Sequence, residues 1–147
     1  GSLASINSTE GTLYFEGSTL VNGEANSNIS LSDGTNDNLI MIRFGITPNR
    51  VTCFARGSSG SYTLNTVNGL TQTDNNKIAL VWDASNFKVW VNGTEVATET
   101  INSIPIGMNT LDFTQASGTD IFFGKTKALA VWKEALSDEE LTELTTI

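Results

Sequence analysis

Histidine is absent from the 147 residues, cysteine occurs once, proline twice, and charged residues make up only 16% of the chain. Without histidine there is no His-based triad, no imidazole base and no imidazole metal ligand, so any catalysis would rest on carboxylates. The lone Cys53, set between Thr52 and Phe54, has no partner for an internal disulfide and reads as a small strand residue rather than a nucleophile. Sixteen acidic against eight basic residues leave a net charge of −8, which argues against nucleic acid or an anionic membrane as a partner and leaves neutral polymers open. No apolar run approaches the roughly 20 residues that cross a bilayer, so no membrane insertion is expected, and no signal peptide is visible. Gly1 and Ser2 read as a cloning remnant, which leaves a lost leader or flanking domain open. Residues 3–147 are then expected to form a single domain, long enough to bury a core without disulfides or a structural metal.

What is abundant is Asn, Ser, Thr and Gly between short apolar runs, the pattern of many strands joined by turns. Strands are predicted at 12–17, 29–32, 38–44, 51–56, 61–64, 77–82, 87–92, 94–98, 110–113, 120–123 and 127–132. The segments "SDGTNDN", "GITPNR", "GSSGS", "DASN" and "VNGT" supply the turns. One helix is expected, in "LSDEELTEL": Ser137 and Glu140 form a capping box, and Leu136, Leu141 and Leu144 share a face. Its acidic first turn, Asp138 to Glu140, suits the helix dipole better than a catalytic role. Strands at this density without intervening helices indicate an all-β fold, a two-sheet antiparallel sandwich in preference to a barrel.

In "KIALVWDASNFKVWVNGTEV", a turn at Asp83 to Asn86 pairs Trp82 with Phe87, Leu80 with Val89 and Ile78 with Val91 on the core side. The other side pairs Val81 with Lys88 and Ala79 with Trp90, and Lys77 faces Asn92. The Trp90 ring thus sits opposite a small residue, and is either a platform or the seat of another strand, a loop or the terminal helix. In "NRVTCFARG", Val51, Cys53 and Ala55 read as the core row, which points Phe54 and Arg56 outwards. If both hairpins share a sheet, its outer face combines two aromatic rings with cationic and amide donors. A sugar ring needs that pairing, because its C–H face stacks on an aromatic while its hydroxyls need hydrogen-bond partners. Burying on the order of 50 Å² of apolar area contributes roughly 1 kcal/mol. A single site would then bind near millimolar, about −4 kcal/mol, and adhesion would need several copies.

The stretches "NKIALVWDASNFKVWVNGTEV" and "GTDIFFGKTKALAVWKEALSDEELTELT" resemble the laminin G-like jelly roll of the concanavalin A-like lectin and glucanase superfamily. The shared features are a hairpin ending in Val-Asn-Gly, a late Gly-led strand with an aromatic, and an amphipathic "SDEEL" end. The Asn/Thr-rich style and the C-terminal "FFGKTKALAVWKEALSDEELTELTT" are similar to modules of bacteriophage structural proteins and of secreted bacterial proteins. The resemblance implies a two-sheet antiparallel jelly-roll sandwich with a short C-terminal amphipathic helix. It also implies a concave sheet used for glycans or for assembly with neighbouring chains.

Retaining glucanases of that superfamily carry a Glu-x-Asp-x-Glu strand, and no strand here contains it, so no catalytic residues are assigned. The loop Asp33 to Asn38 holds oxygen ligands of the kind calcium takes, and is equally an ordinary turn; no metal and no cofactor are assigned. "NIS" at Asn28 and "NGT" at Asn92 match glycosylation sequons. Trp82 reads as core, Trp132 as packing for the terminal helix, and Tyr62 as either a rim residue or a strand start. The expectation is a non-catalytic carbohydrate-binding module, extracellular or on a virion surface and part of a larger multivalent protein. Its partner is a glycan or polysaccharide, with Trp90 and Phe54 as platforms and Arg56, Lys88 and Asn92 as hydrogen-bonding groups. The competing reading is a structural module of a phage virion or tail protein whose same face is buried against another chain.

Overall fold

Ten strands and one helix succeed one another among the described residues: β1 (Gly11–Thr19), β2 (Ser27–Ser32), β3 (Leu39–Phe44), β4 (Arg50–Arg56), β5 (Tyr62–Asn68), β6 (Asn76–Trp82), β7 (Asn86–Val91), β8 (Thr94–Thr100), β9 (Thr110–Asp112), β10 (Gly124–Trp132) and α1 (Asp138–Thr145). The computed structural model describes residues 6–23 and 25–147; the Gly1–Ser2 pair read as a cloning remnant lies outside them. The strands form two five-stranded antiparallel sheets, ordered β10-β1-β6-β7-β8 and β5-β4-β3-β2-β9. This is the two-sheet sandwich that the turn-punctuated apolar runs imply, and the jelly roll that the resemblance implies.

Alternation sets the core. Leu13, Phe15, Ile78, Leu80, Trp82, Phe87 and Val89 point inwards from the first sheet, and Ile29, Leu31, Ile40, Ile42, Phe44, Val51 and Cys53 meet them from the second. Each such large side chain contributes about 1.5 to 3 kcal/mol relative to exposure. The Cys53 thiol is fully enclosed here, and burial pushes its pKa up, away from nucleophile chemistry.

The β6–β7 hairpin has the predicted register, including Trp82 with Phe87 and Ala79 with Trp90. The following turn places Asn92 at φ 49° and Gly93 at φ 86°, both left-handed, which is why Asn-Gly occupies it. The segment 120–123 departs from expectation, since it forms no strand and makes only an isolated parallel bridge from Ile121 to Asn28. Its loop closes on itself instead: Gln115 N–H donates to the Thr119 carbonyl and Phe122 N–H to that of Phe113. The Asp120 and Phe123 carbonyls accept from the Asn28 and Leu20 N–H groups, so the backbone groups of 120–123 go to separate partners and no continuous ladder forms.

Candidate binding groove on the uncovered sheet

The two hairpins carrying the sequence-predicted site lie in different sheets, so the five residues do not converge. Lys88 and Trp90, with Asn92 in the turn that follows them, belong to the sheet on which α1 packs, and Phe54 and Arg56 to the other. Trp90 is only 6% exposed, clustered with Tyr14, Ala79, Val81 and Leu141, with Leu136, Leu144 and Trp132 around them. It is therefore not an open platform. The small Ala79 leaves a depression between the rings of Tyr14 and Trp90, and the apolar face of α1 packs over it.

Lys88 and Asn92 serve the same docking. Lys88 Nζ donates to Asp138 Oδ1 at 2.9 Å in the first turn of α1, and that bond raises the lysine pKa. Asn92 Oδ1 accepts from the Lys77 backbone N–H at 2.9 Å while its Nδ2 donates to Asn76 Oδ1 at 3.1 Å. The neighbouring Gly93 N–H donates to Thr145 Oγ1 at 3.1 Å, tying the turn to the last turn of the helix. At the other end of α1 the capping box is complete, with Ser137 N–H donating to Glu140 Oε2 at 2.8 Å and Glu140 N–H donating to Ser137 Oγ at 3.3 Å.

Among the described residues, no helix lies over the sheet β5-β4-β3-β2-β9. Cross-strand register places Leu64, Phe54, Met41 and Ser30 in one outward row and Thr66, Thr52, Arg43 and Asn28 in the next. Leu64, Phe54 and Met41 of the first row and Arg43 of the second, with residues from the adjoining loops, line a groove of ≈ 440 Å³. Its apolar part is Leu39, Met41, Phe54 and Leu64, and Asn36, Arg43, Tyr62, Gln115 and Asp120 supply polar groups.

Two guanidinium groups organise it. Arg43 Cζ lies 5.0 Å from the Phe54 ring centroid, with its Nε donating to Asn28 Oδ1 at 3.0 Å and its Nη2 to Gln115 Oε1 at 2.9 Å. Asn28 is fully buried, so its sequon is closed to a glycan, and it holds Arg43 from below. Arg56 Cζ lies 4.4 Å from the Tyr62 ring centroid; its Nη1 donates to Tyr62 Oη at 2.8 Å and to the Asn36 carbonyl at 2.7 Å. Its Nη2 pairs with Asp37 at 3.2 Å. Tyr62 is 48% exposed and meets Phe54 edge-on, with centroids 6.2 Å apart. The arrangement offers aromatic surface, planar donors and amide groups within one depression.

The Asp33 to Asn38 loop is bound internally. Asp33 Oδ1 accepts from Thr35 Oγ1 at 2.6 Å and from the Thr35 backbone N–H at 2.9 Å, and Oδ2 accepts from Asn38 Nδ2 at 2.8 Å. Burial alone would raise the Asp33 carboxyl, yet these donors outweigh it and hold the pKa below its ordinary value. Of the residues expected at a site, Phe54 lines the groove, and Arg56 does not but bonds to Asn36 and Tyr62, which do; Tyr62 was left undecided in the sequence, and Arg43, Asn36, Gln115 and Asp120 were not placed in a binding site for sugar. In "LIMIRF" both faces of β3 are apolar, so alternation gives Arg43 no contrast, and Gln115 and Asp120 sit on an aperiodic loop.

A family profile described as the concanavalin A-like lectin/glucanases superfamily matches residues 4–142. No curated protein matches the chain in sequence. Among solved structures, the carbohydrate-binding module CBM40 of the Ruminococcus gnavus IT-sialidase, bound to α2,3-sialyllactose, superposes with a TM-score of 0.76 at 20% identity, covering 95% of this chain and 84% of that one. Part of the leech intramolecular trans-sialidase gives 0.75 at 20% identity, covering 96% of this chain and 24% of that one. The botulinum neurotoxin type G receptor binding domain gives 0.66 at 16%, covering 92% and 37%. At these identities the likeness is one of fold.

Proposed function

Because the chain belongs to the concanavalin A-like lectin/glucanase superfamily, we propose that it is a non-catalytic carbohydrate-binding module whose site is the groove over β3 to β5. The observation that carries this reading is the pairing of Phe54 and Tyr62 with Arg43 and Arg56 on a sheet face that no helix of the described residues covers. Apolar C–H faces pack on such rings, and hydroxyls use the planar donors and amides around them. The superposable CBM40 domain, bound to sialyllactose in its own structure, supports a glycan as the ligand class.

The absence from every strand of the alternating triplet of carboxylates that retaining glucanases use supports a non-catalytic role, with Asp120 the acidic residue lining the groove. In the leech enzyme the shared fold accounts for 24% of the chain, which fits a module serving a larger, multivalent and extracellular protein. The test is a glycan panel that includes sialyllactoses, presented multivalently to wild type and Phe54→Ala. Wild-type binding lost in the variant is expected; binding that survives Phe54→Ala moves the site elsewhere.

One observation favours a second reading, an assembly module of a virion or other surface structure. Ile121 and Phe123, each 66% exposed, and Leu20 and Val21, at 49% and 46%, present large apolar side chains near one another, linked by the hydrogen bond from Leu20 N–H to the Phe123 carbonyl. Burial of that patch against a neighbouring chain would exclude it from water. Concentration-dependent assembly abolished by Phe123→Ser, with no glycan response, would establish this reading over the first.

A further inference from the structure

We infer that the groove selects glycans bearing an anionic substituent, a carboxylate or a sulfate, and that Arg43 is the residue that receives it. The inference rests on the glycan reading of the groove and goes further by specifying the chemical class of the sugar. A guanidinium has five N–H donors. Within the described residues Arg43 commits one, from Nε, to Asn28 and one, from Nη2, to Gln115. Both N–H groups of Nη1 and one of Nη2 remain, and those two nitrogens form the end of the fork that grips carboxylate and sulfate oxygens in pairs.

Both partners of Arg43 are neutral amides. They fix the plane of the guanidinium against the Phe54 ring without neutralising it. The contrast with Arg56 is direct, because Asp37 pairs with Arg56 at 3.2 Å while no carboxylate of the described residues lies within salt-bridge distance of Arg43. In a chain of net charge −8, a pre-positioned, half-buried cation without a counter-ion is the feature that an anionic sugar complements. The neighbouring Phe54 and Tyr62 rings would then hold the body of the same residue. Asp120 lines the groove as well, and its negative charge opposes the anion from that side. Its removal should therefore tighten acidic ligands.

The experiment is binding of immobilised polysaccharides carrying carboxylates (polygalacturonate, hyaluronan), sulfates (carrageenan) or neither (methyl-esterified pectin, agarose), with the protein presented on beads. The proteins are wild type, Arg43→Gln, Arg43→Lys, Asp120→Asn and Phe54→Ala. Expected are binding confined to anionic polymers, weakened by added salt, at least about tenfold weaker in Arg43→Gln and partly kept in Arg43→Lys. Asp120→Asn should strengthen it by a few fold, a readout that a merely disrupted fold would not give. The two anionic arms tell carboxylate from sulfate. Equal binding of neutral and anionic polymers that is lost in Phe54→Ala overturns the inference and leaves the glycan reading standing. Binding of no polymer at all overturns both.

Discussion

Tyr14, Ala79 and Trp90 stand in one row across β1, β6 and β7, and their energetic role follows from what lies above them. Trp90→Ala would open a cavity under α1 and should destabilise by about 3 to 5 kcal/mol in denaturant unfolding. Trp90→Phe should cost much less, because it keeps the ring volume in part and removes a buried indole N–H that has no acceptor among the described residues. Neither change is expected to alter glycan binding. Tyr14 sets a pH limit. Burial, with the neighbouring Glu16 carboxylate adding to it, raises its phenol to about 12. A phenol that ionises near 10 in the unfolded chain contributes stability that is complete below pH 10 and is lost as pH rises towards 12. Tyr14→Phe should flatten this alkaline limb in a series of melting temperatures. At the acid end the sign reverses. A hydrogen bond from Asn75 leads the causes that lower the Glu16 pKa, so its contribution is present above the ordinary carboxylate value and disappears as pH falls through the lower folded one.

The helix α1 shows how far a single element can be read from its letters. Its capping box and leucine face were legible because they depend on spacings of three and four residues, which are local. Where that face docks was not legible, since it depends on which sheet surface lies within reach of the C-terminal segment. Alternation in the hairpin puts Trp90 on the side away from the core, as the register has it, and does not distinguish a platform from a seat. Lys88, Trp90 and Asn92, expected to contact sugar, instead hold α1 by an ion pair, by packing and by a turn that bonds to Thr145. Leu141→Ala should therefore cost about 2 to 5 kcal/mol, and Ser137→Ala about 1 kcal/mol, both measured by chemical denaturation. A loss of less than 0.5 kcal/mol at Leu141 would mean that the helix does not stabilise the sandwich.

Across the whole molecule, strand count, alternation and turn chemistry specified the sandwich, since each strand needs only its own apolar row to find the core. The groove is a property of several strands and a loop together, so no window of sequence displays it. Phe54 was legible because Val51, Cys53 and Ala55 make a clean inward row; Arg43 was not, because Leu39 and Met41 beside it are apolar and outward. The resulting division of labour gives one sheet to the helix and, on the proposed reading, assigns the other to a ligand. It is tested most directly by mapping amide shift changes on titrating isotopically labelled protein with a glycan that it binds. Perturbations gathered on β3, β4, β5 and the loop around Gln115, with β7 and α1 silent, are the predicted result. Perturbations centred on Lys88, Trp90 and α1 would contradict the account.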